Sequence, residues 1–181
     1  MKFLIASDIH GSAYYTEKLL EIYKKEKADR LILLGDVLYH GPRNDLPLGH
    51  NPKEVARLLN EYKDEIICVR GNCEAEVDQL MLQFPVLADY AILFVDGKEL
   101  FLTHGHHYNP DNPPPFPKGS ILINGHTHVS AIEEKENFIY LNPGSVSIPK
   151  GNGINSYMIY DNKTFKLKSL ENDVLTEYKM K

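Results

Sequence analysis

Tryptophan is absent from this 181-residue chain, and cysteine occurs only twice. Cys68 and Cys73 lie in one short segment, which excludes a disulfide scaffold or a thiolate-held structural zinc. Long apolar runs are also missing. The longest, such as Tyr90 to Val95, fall far short of the roughly 20 residues needed to cross a bilayer. The apolar run after Met1-Lys2 is too short for a secretory signal, so the cytoplasm is the expected compartment. Positive charge is not in excess: 20 Lys and Arg against 25 Asp and Glu give a net charge of −5. A protein that holds duplex nucleic acid through its phosphates is therefore not expected. What is present, 43% apolar and 25% charged residues, describes an ordinary globular chain, expected to form a single domain over 1–181.

The first 70 residues alternate strands with helices. Lys2 to Ser7, Arg30 to Leu34 and Glu65 to Val69 read as short buried strands. Residues 12–27 form an amphipathic pattern with Ser12 as its N-cap. Asn51-Pro52 opens a second helix, with proline at a favoured first position. Such alternation implies βαβ crossovers and a parallel sheet, with function at the strand C-terminal ends. The second half changes grammar. Asp96-Gly97 between Asp89–Val95 and Lys98–Thr103 is a strong hairpin signal. Ser120–Asn124, Ala131–Glu134, Asn137–Leu141, Ser156–Tyr160 and Thr164–Leu170 read as further strands, and these imply a second, largely antiparallel sheet packed on the first.

Five apolar runs end in residues that ligate metals. Asp8-Ile9-His10 and Gly35-Asp36 follow the first two strands, and Gly71-Asn72-Cys73-Glu74 follows the third. Thr103-His104-Gly105-His106 follows the hairpin, and Gly125-His126-Thr127-His128 follows the Ser120 strand. Each motif alone is more often a turn residue or a satisfied hydrogen-bond partner. Together, at a rim where strand ends converge, they point to a metal site of mixed nitrogen and oxygen ligands.

In this order, D-x-H, G-D, G-N, H and G-H-x-H, the chain resembles the calcineurin-like metallophosphoesterase superfamily. Gly41-Pro42-Arg43-Asn44, Arg70-Gly71-Asn72-Cys73-Glu74 and Asn142-Pro143-Gly144-Ser145 make it similar to the small bacterial YfcE-like phosphodiesterases over nearly its whole length. The resemblance implies a four-layer α/β/β/α sandwich of two mixed sheets flanked by helices. It implies two divalent metal ions, one held by Asp8, His10, Asp36 and His128, the other by Asp36, Asn72, His104 and His126, with Asp36 bridging. Mn²⁺ is the expected metal on these grounds, and Fe²⁺, Zn²⁺ or Ni²⁺ also suits the ligands. The implied reaction is hydrolysis of a small-molecule phosphodiester by a metal-bridging hydroxide. Phosphomonoesterase or nuclease activity on the same site, and a non-catalytic interaction scaffold like the retromer subunit of this fold, are the alternatives. A homo-oligomer is left open.

The chain departs from the wider pattern at Cys73, where a histidine commonly follows the G-N asparagine and assists the leaving group. Cys73 then either walls the pocket or acts in the chemistry. His106 is a candidate acid, phosphate donor or partner of a ligand, and Arg43 is a candidate phosphate clamp or a surface ion pair. His40, His50 and His107 are expected at the surface and Cys68 in the core. The proline-rich stretch Tyr108 to Pro117 is either a cleft wall or a rigid connector.

Overall fold

The computed structural model describes residues 1–180. In chain order the elements are β1 (Phe3–Ala6), α1 (Ala13–Glu26), β2 (Arg30–Leu33), α2 (Pro52–Asn60), β3 (Ile66–Cys68), α3 (Glu76–Met81), β4 (Tyr90–Val95), β5 (Lys98–Thr103), β6 (Ile121–Ile123), β7 (Ala131–Glu134), β8 (Ile139–Asn142), β9 (Ser156–Asp161), β10 (Thr164–Ser169) and β11 (Val174–Lys179). Both expected helix starts are realised. The Ser12 hydroxyl accepts from the Tyr15 N–H at 3.2 Å, and the Asn51 amide oxygen accepts from the Glu54 N–H at 3.3 Å. Each satisfies one of the backbone donors left free at a helix N-terminus.

The strands form a six-stranded sheet, β11-β10-β9-β1-β2-β3, and a five-stranded sheet, β4-β5-β6-β8-β7. As expected, β1, β2 and β3 run parallel, and β4 and β5 form the Asp96-Gly97 hairpin. Two expectations change. β9 and β10 join the first sheet, where β9 lies antiparallel to β1. The second sheet is mixed, because β5-β6 and β6-β8 are parallel pairs. Alternation of apolar residues fixes which face of a strand is buried but not which strand lies beside it. The short α3 and the edge strand β11 carry too little periodicity to be read in the sequence.

One apolar cluster, including Leu4, Leu19, Leu31, Val55 and Leu59, fills the space between helices and first sheet. A second, including Ile5, Ile32, Leu100, Leu102, Ile121 and Met158, lies between the sheets. This is the expected α/β sandwich of two mixed sheets, with a difference in its fourth layer. Among the described residues no helix follows Met81. Tyr108, Phe116 and Phe138 cover Phe101, Leu122 and Tyr140 on the outer face of the second sheet. Proline at 110, 113, 114, 115 and 117 removes the N–H donors that a helix would need there. The proline-rich stretch is thus a connector and cover, and none of its prolines lines the cleft described below.

Candidate metal centre

The C-terminal ends of β1, β2, β3, β5 and β6 deliver Asp8 and His10, Asp36, Asn72, His104, and His126 and His128 to one rim. All seven expected ligands meet there. Asp8 Oδ1 lies 3.6 Å from His10 Nε2 and 3.3 Å from His128 Nε2. Asp36 Oδ2 stands between two histidines, 3.7 Å from His10 Nε2 and 3.5 Å from His104 Nε2. Asn72 Oδ1 and His126 Nδ1 each lie 3.1 Å from His104 Nε2. Asp8, His10 and His128 form one group able to hold an ion, and Asp8, Asp36 and His104 another.

The proton inventory shows that this donor set suits cations. His10, His104 and His128 donate through Nδ1 to the carbonyls of Tyr39, Leu34 and Ile148, at 2.8, 2.7 and 2.8 Å. A carbonyl only accepts, so each Nδ1 carries the proton, and in the neutral ring each Nε2 presents a bare lone pair. Two such lone pairs, on His10 and His128, face each other at 3.2 Å. The buried Asp8 Oδ1 beside them has no hydrogen-bond partner among the described residues. Lone pairs and carboxylates crowded in this way need a proton or a metal ion between them, and the residues present fit divalent cations.

Local backbone shape makes the crowding possible. Asp8, His10, Asp36, His126 and His128 all have positive φ, between 50° and 68°, a region that non-glycine residues rarely occupy and that costs about 1–2 kcal/mol each. Neighbouring groups hold them there. The Asp8 carbonyl accepts from the hydroxyls of Ser145 and Ser147, at 2.8 and 3.1 Å, and Asp8 Oδ2 accepts from the His126 N–H at 3.0 Å. A buried carboxylate, Glu74, accepts from the N–H groups of Asp36 and Val37 at 2.9 and 2.7 Å and from that of Gly71. Glu74 therefore ties the loop after β2 to the loop after β3. Any Cβ at Gly125 would collide with Ser7 Oγ and Asp8 Oδ2, so this position must remain glycine.

Electrostatics follow from the same contacts. Burial disfavours charge on His104, but the carboxylates of Asp36 and Asp8 outweigh it and push its pKa up to about 9. Burial also opposes protonation of His10, and Asp8 and Asp36 reverse that, so its pKa is raised. Asp8 and Asp36 remain ionised because their histidine neighbours overcome the cost of burial. Burial and the nearby His104 pull His106 down to about 4.

A pH dependence follows. Protons on His10 and His104 must leave before an ion can bind. Metal affinity should therefore tighten as pH rises from about 6 and level off near the raised His104 value of about 9. In the metal-free protein the sign is opposite. A histidine with a raised folded pKa stabilises fully below its unfolded value of about 6.5, and that stabilisation is lost as pH rises through about 9. Melting curves with chelator should shift down between pH 6.5 and 9, whereas metal-loaded samples should not; parallel curves would contradict the ligand assignment.

The remaining candidates separate. Asp36, Arg43, Asn44, Asn72, Cys73, His126, Thr127, His128 and Lys150 line a cleft of about 380 Å³ that opens on the ligands. Arg43 is exposed, and no carboxylate pairs with it among the described residues. The surface ion pair considered for it is thus not formed. Lys150, a second cation in this cleft, is not signalled by the sequence, because lysine in a loop carries no local signal. Glu74 belongs to the Gly71-Asn72-Cys73-Glu74 motif, which gives it no role of its own. Cys73 is half-buried, and its N–H donates to Asp36 Oδ1 at 2.9 Å. In the metal-free protein, burial and Asp36 push its thiol pKa upward, so the thiol is neutral there. His106 lies beside the ligands, its ring 5.4 Å from that of His104 and 6.2 Å from that of His126, but it faces a different hollow. Cys68 is buried as expected. His107 is exposed, whereas His40 and His50 are half-buried and pack edge to face at 5.4 Å, because the loop carrying His50 folds back onto Gly11.

Residues 1–164 match the family model of the calcineurin-like phosphoesterase superfamily domain. The chain is 46% identical over 170 residues to the phosphodiesterase YfcE of Escherichia coli K12, covering 94% of this chain and 92% of that protein. The solved structure of the YfcE phosphoesterase from E. coli superposes with a TM-score of 0.98, at 43% identity and full coverage of both chains. Vacuolar protein sorting 29 of Cryptosporidium parvum matches with a TM-score of 0.65 at 17% identity, covering 98% of this chain and 97% of that one, and shares the fold alone. Together with the metal-ligating rim, these matches show that the chain belongs to the calcineurin-like phosphoesterase superfamily.

Proposed function

We propose that the chain is a single-domain phosphodiesterase that uses two divalent cations, Mn²⁺ foremost, to hydrolyse a small-molecule phosphodiester in the cytoplasm. One observation carries this reading: five strand ends present bare imidazole lone pairs and two buried carboxylates to a single rim, beside a cleft that holds Arg43 and Lys150. The similarity to the YfcE phosphodiesterase supports the diester preference. The first sheet, which combines strands from both ends of the chain, supports a single domain.

In this reading Asp8, His10, Asp36 and His128 hold one ion, and Asp36, Asn72, His104 and His126 hold the other. When bound, such cations supply the Lewis acidity that ionises water and neutralises phosphoryl oxygens. Arg43 and Lys150 orient the phosphate by charge from the open side of the cleft. Its guanidinium fork suits Arg43 to two oxygens at once. Cys73 shapes the wall. A thiol carries no positive charge to offer a departing group, and one whose pKa is raised by burial and by Asp36 is a poor proton donor to it. Cys73→Ala should thus leave hydrolysis of bis-p-nitrophenyl phosphate within about tenfold, about 1.4 kcal/mol of barrier. A loss of several orders of magnitude with both metals still bound would place the thiol in the chemistry.

The test of the function compares bis-p-nitrophenyl phosphate with p-nitrophenyl phosphate under Mn²⁺. The diester should turn over faster, chelator should abolish turnover, and Mn²⁺ should restore it. A preference for the monoester, or chelator-resistant turnover, would overturn the assignment.

A further inference from the structure

Next to the candidate metal centre, reached through His106, whose ring lies 5.4 Å from that of His104, is a second hollow of about 550 Å³. Asp89, Tyr90, His106, His107, Tyr108 and Asn112 line it. Its volume falls within the range of small-molecule sites. Its floor is aromatic. Tyr90 stacks on the buried Phe101 with ring centroids 5.0 Å apart, and Tyr108 meets the same ring edge-on at 5.7 Å. Tyr90 is nonetheless 49% exposed, so Phe101 holds it in place while one side of it stays open.

The opposite wall is already rigid. Asn109 and Asn112 exchange backbone hydrogen bonds at 3.2 and 3.1 Å. Their side-chain amides donate to the carbonyls of Gly105 and His107 at 3.1 and 2.9 Å. The loop that carries His106 to Asn112 is thus fixed by its own polar groups, and its shape is set before any ligand arrives.

The lining contains no Lys or Arg, and its one charge is the carboxylate of Asp89. It cannot favour a second phosphate. What it matches is a flat, uncharged ring, which could stack against tyrosine and meet the polar edges of Asn112 and the histidines. It stands one imidazole away from the ligands, since His106 forms its wall and lies 6.2 Å ring to ring from His126, which lines the Arg43 cleft. A phosphodiester has two arms. Negative charge develops on the arm that departs, which suits the cleft holding Arg43 and Lys150 and not a hollow whose charge is the Asp89 carboxylate, so this hollow is left for the arm that stays.

We infer, on the phosphodiesterase reading above, that the hollow formed by Tyr90, Tyr108 and the His106–Asn112 loop is a subsite for an aromatic ester group that stays on the phosphorus. Tyr90 and Tyr108 are then specificity-determining residues. Binding energy from this remote ring is available to the reaction although no bond to it breaks.

The test uses the Mn²⁺-loaded protein and two substrates that both release p-nitrophenolate: bis-p-nitrophenyl phosphate, which retains an aryl group, and methyl p-nitrophenyl phosphate, which retains a methyl group. Tyr90→Leu and Tyr108→Leu should each lower the aryl-to-methyl ratio of kcat/KM at least fivefold, mainly through KM for the aryl diester. Diphenylphosphinate has no ester bond to break, and its inhibition constant should rise at least fivefold in the same variants, while that of dimethylphosphinate should not change. A purely structural defect would move both substrates and both inhibitors together, and that result overturns the subsite. So does an unchanged ratio in both variants. If the unsubstituted protein hydrolyses neither diester, the phosphodiesterase reading itself fails and the subsite falls with it; if it hydrolyses both with the ratio unmoved, only the subsite fails.

Discussion

Asp36→Ala is expected to abolish stoichiometric binding of both metal ions and to lower diester turnover by at least about 10³-fold, equivalent to about 4 kcal/mol of barrier. The reason lies in where the carboxylate stands. Among the described residues its Oδ2 is the one acidic oxygen within 4 Å of both His10 Nε2 and His104 Nε2, so its removal strips charge from beside both histidines. Its Oδ1 accepts from the Cys73 N–H, so the loop after β3 loosens as well. A second readout needs no metal. His104 owes its raised pKa to Asp36 first and Asp8 second among the carboxylates. In the metal-free variant its titration, followed by NMR of the ring, should therefore fall well below about 9. Full metal occupancy in Asp36→Ala, or an unmoved His104 titration, would remove Asp36 from the centre.

Glu74→Ala should cost the protein stability and metal together. Three buried N–H groups, on Asp36, Val37 and Gly71, lose their acceptor, and each buried donor left unpaired costs about 1–3 kcal/mol. The sum is about 3–9 kcal/mol, offset in part because burial and Asp36 disfavour the Glu74 carboxylate, and at about 2–4 °C per kcal/mol Tm should fall by at least about 6 °C. Glu74→Gln keeps one acceptor oxygen and should lose less. Because the clamp fixes the loops of both Asp36 and Asn72, metal affinity should fall in Glu74→Ala even below its lowered Tm. Thermal scans paired with metal titration at 20 °C check this; an unchanged Tm would show that water replaces the carboxylate without cost.

The seven residues that meet at the rim were legible because each follows an apolar run that stops abruptly, and such stops repeat five times with the same chemistry. Backbone physics at those stops was less visible. Asp8, His10, Asp36, His126 and His128 adopt positive φ, and only the glycines beside some of them hint at unusual turns. The role of Glu74 within its motif was not legible because its partners are backbone N–H groups, and any residue but proline offers one. The first three strands were read correctly because βαβ connections are local. β9 and β10 fall in the first sheet and not the second because the partner that places them, β1 beside β9, lies at the other end of the sequence. The helical layer implied over the second sheet is replaced by irregular chain, where prolines and the aromatics Tyr108, Phe116 and Phe138 do the covering. Those same aromatics had no evident partner until Phe101, Leu122 and Tyr140 were seen to share one face.

The place of β1 in its sheet sets the timetable of biosynthesis. Phe3 pairs with Arg30 on one side and with Tyr160 on the other. As the chain leaves the ribosome, the first strand gains one neighbour early and waits for the second until nearly the whole polypeptide has emerged. His126, His128 and the serines that hold the Asp8 carbonyl also arrive late. Pairing between such distant segments is slow, which leaves the open edge of β1 to be shielded meanwhile. Completion of the rim is thereby tied to closure of the sheet, because its last two histidines and the serines behind Asp8 come from the same late third of the chain as β9.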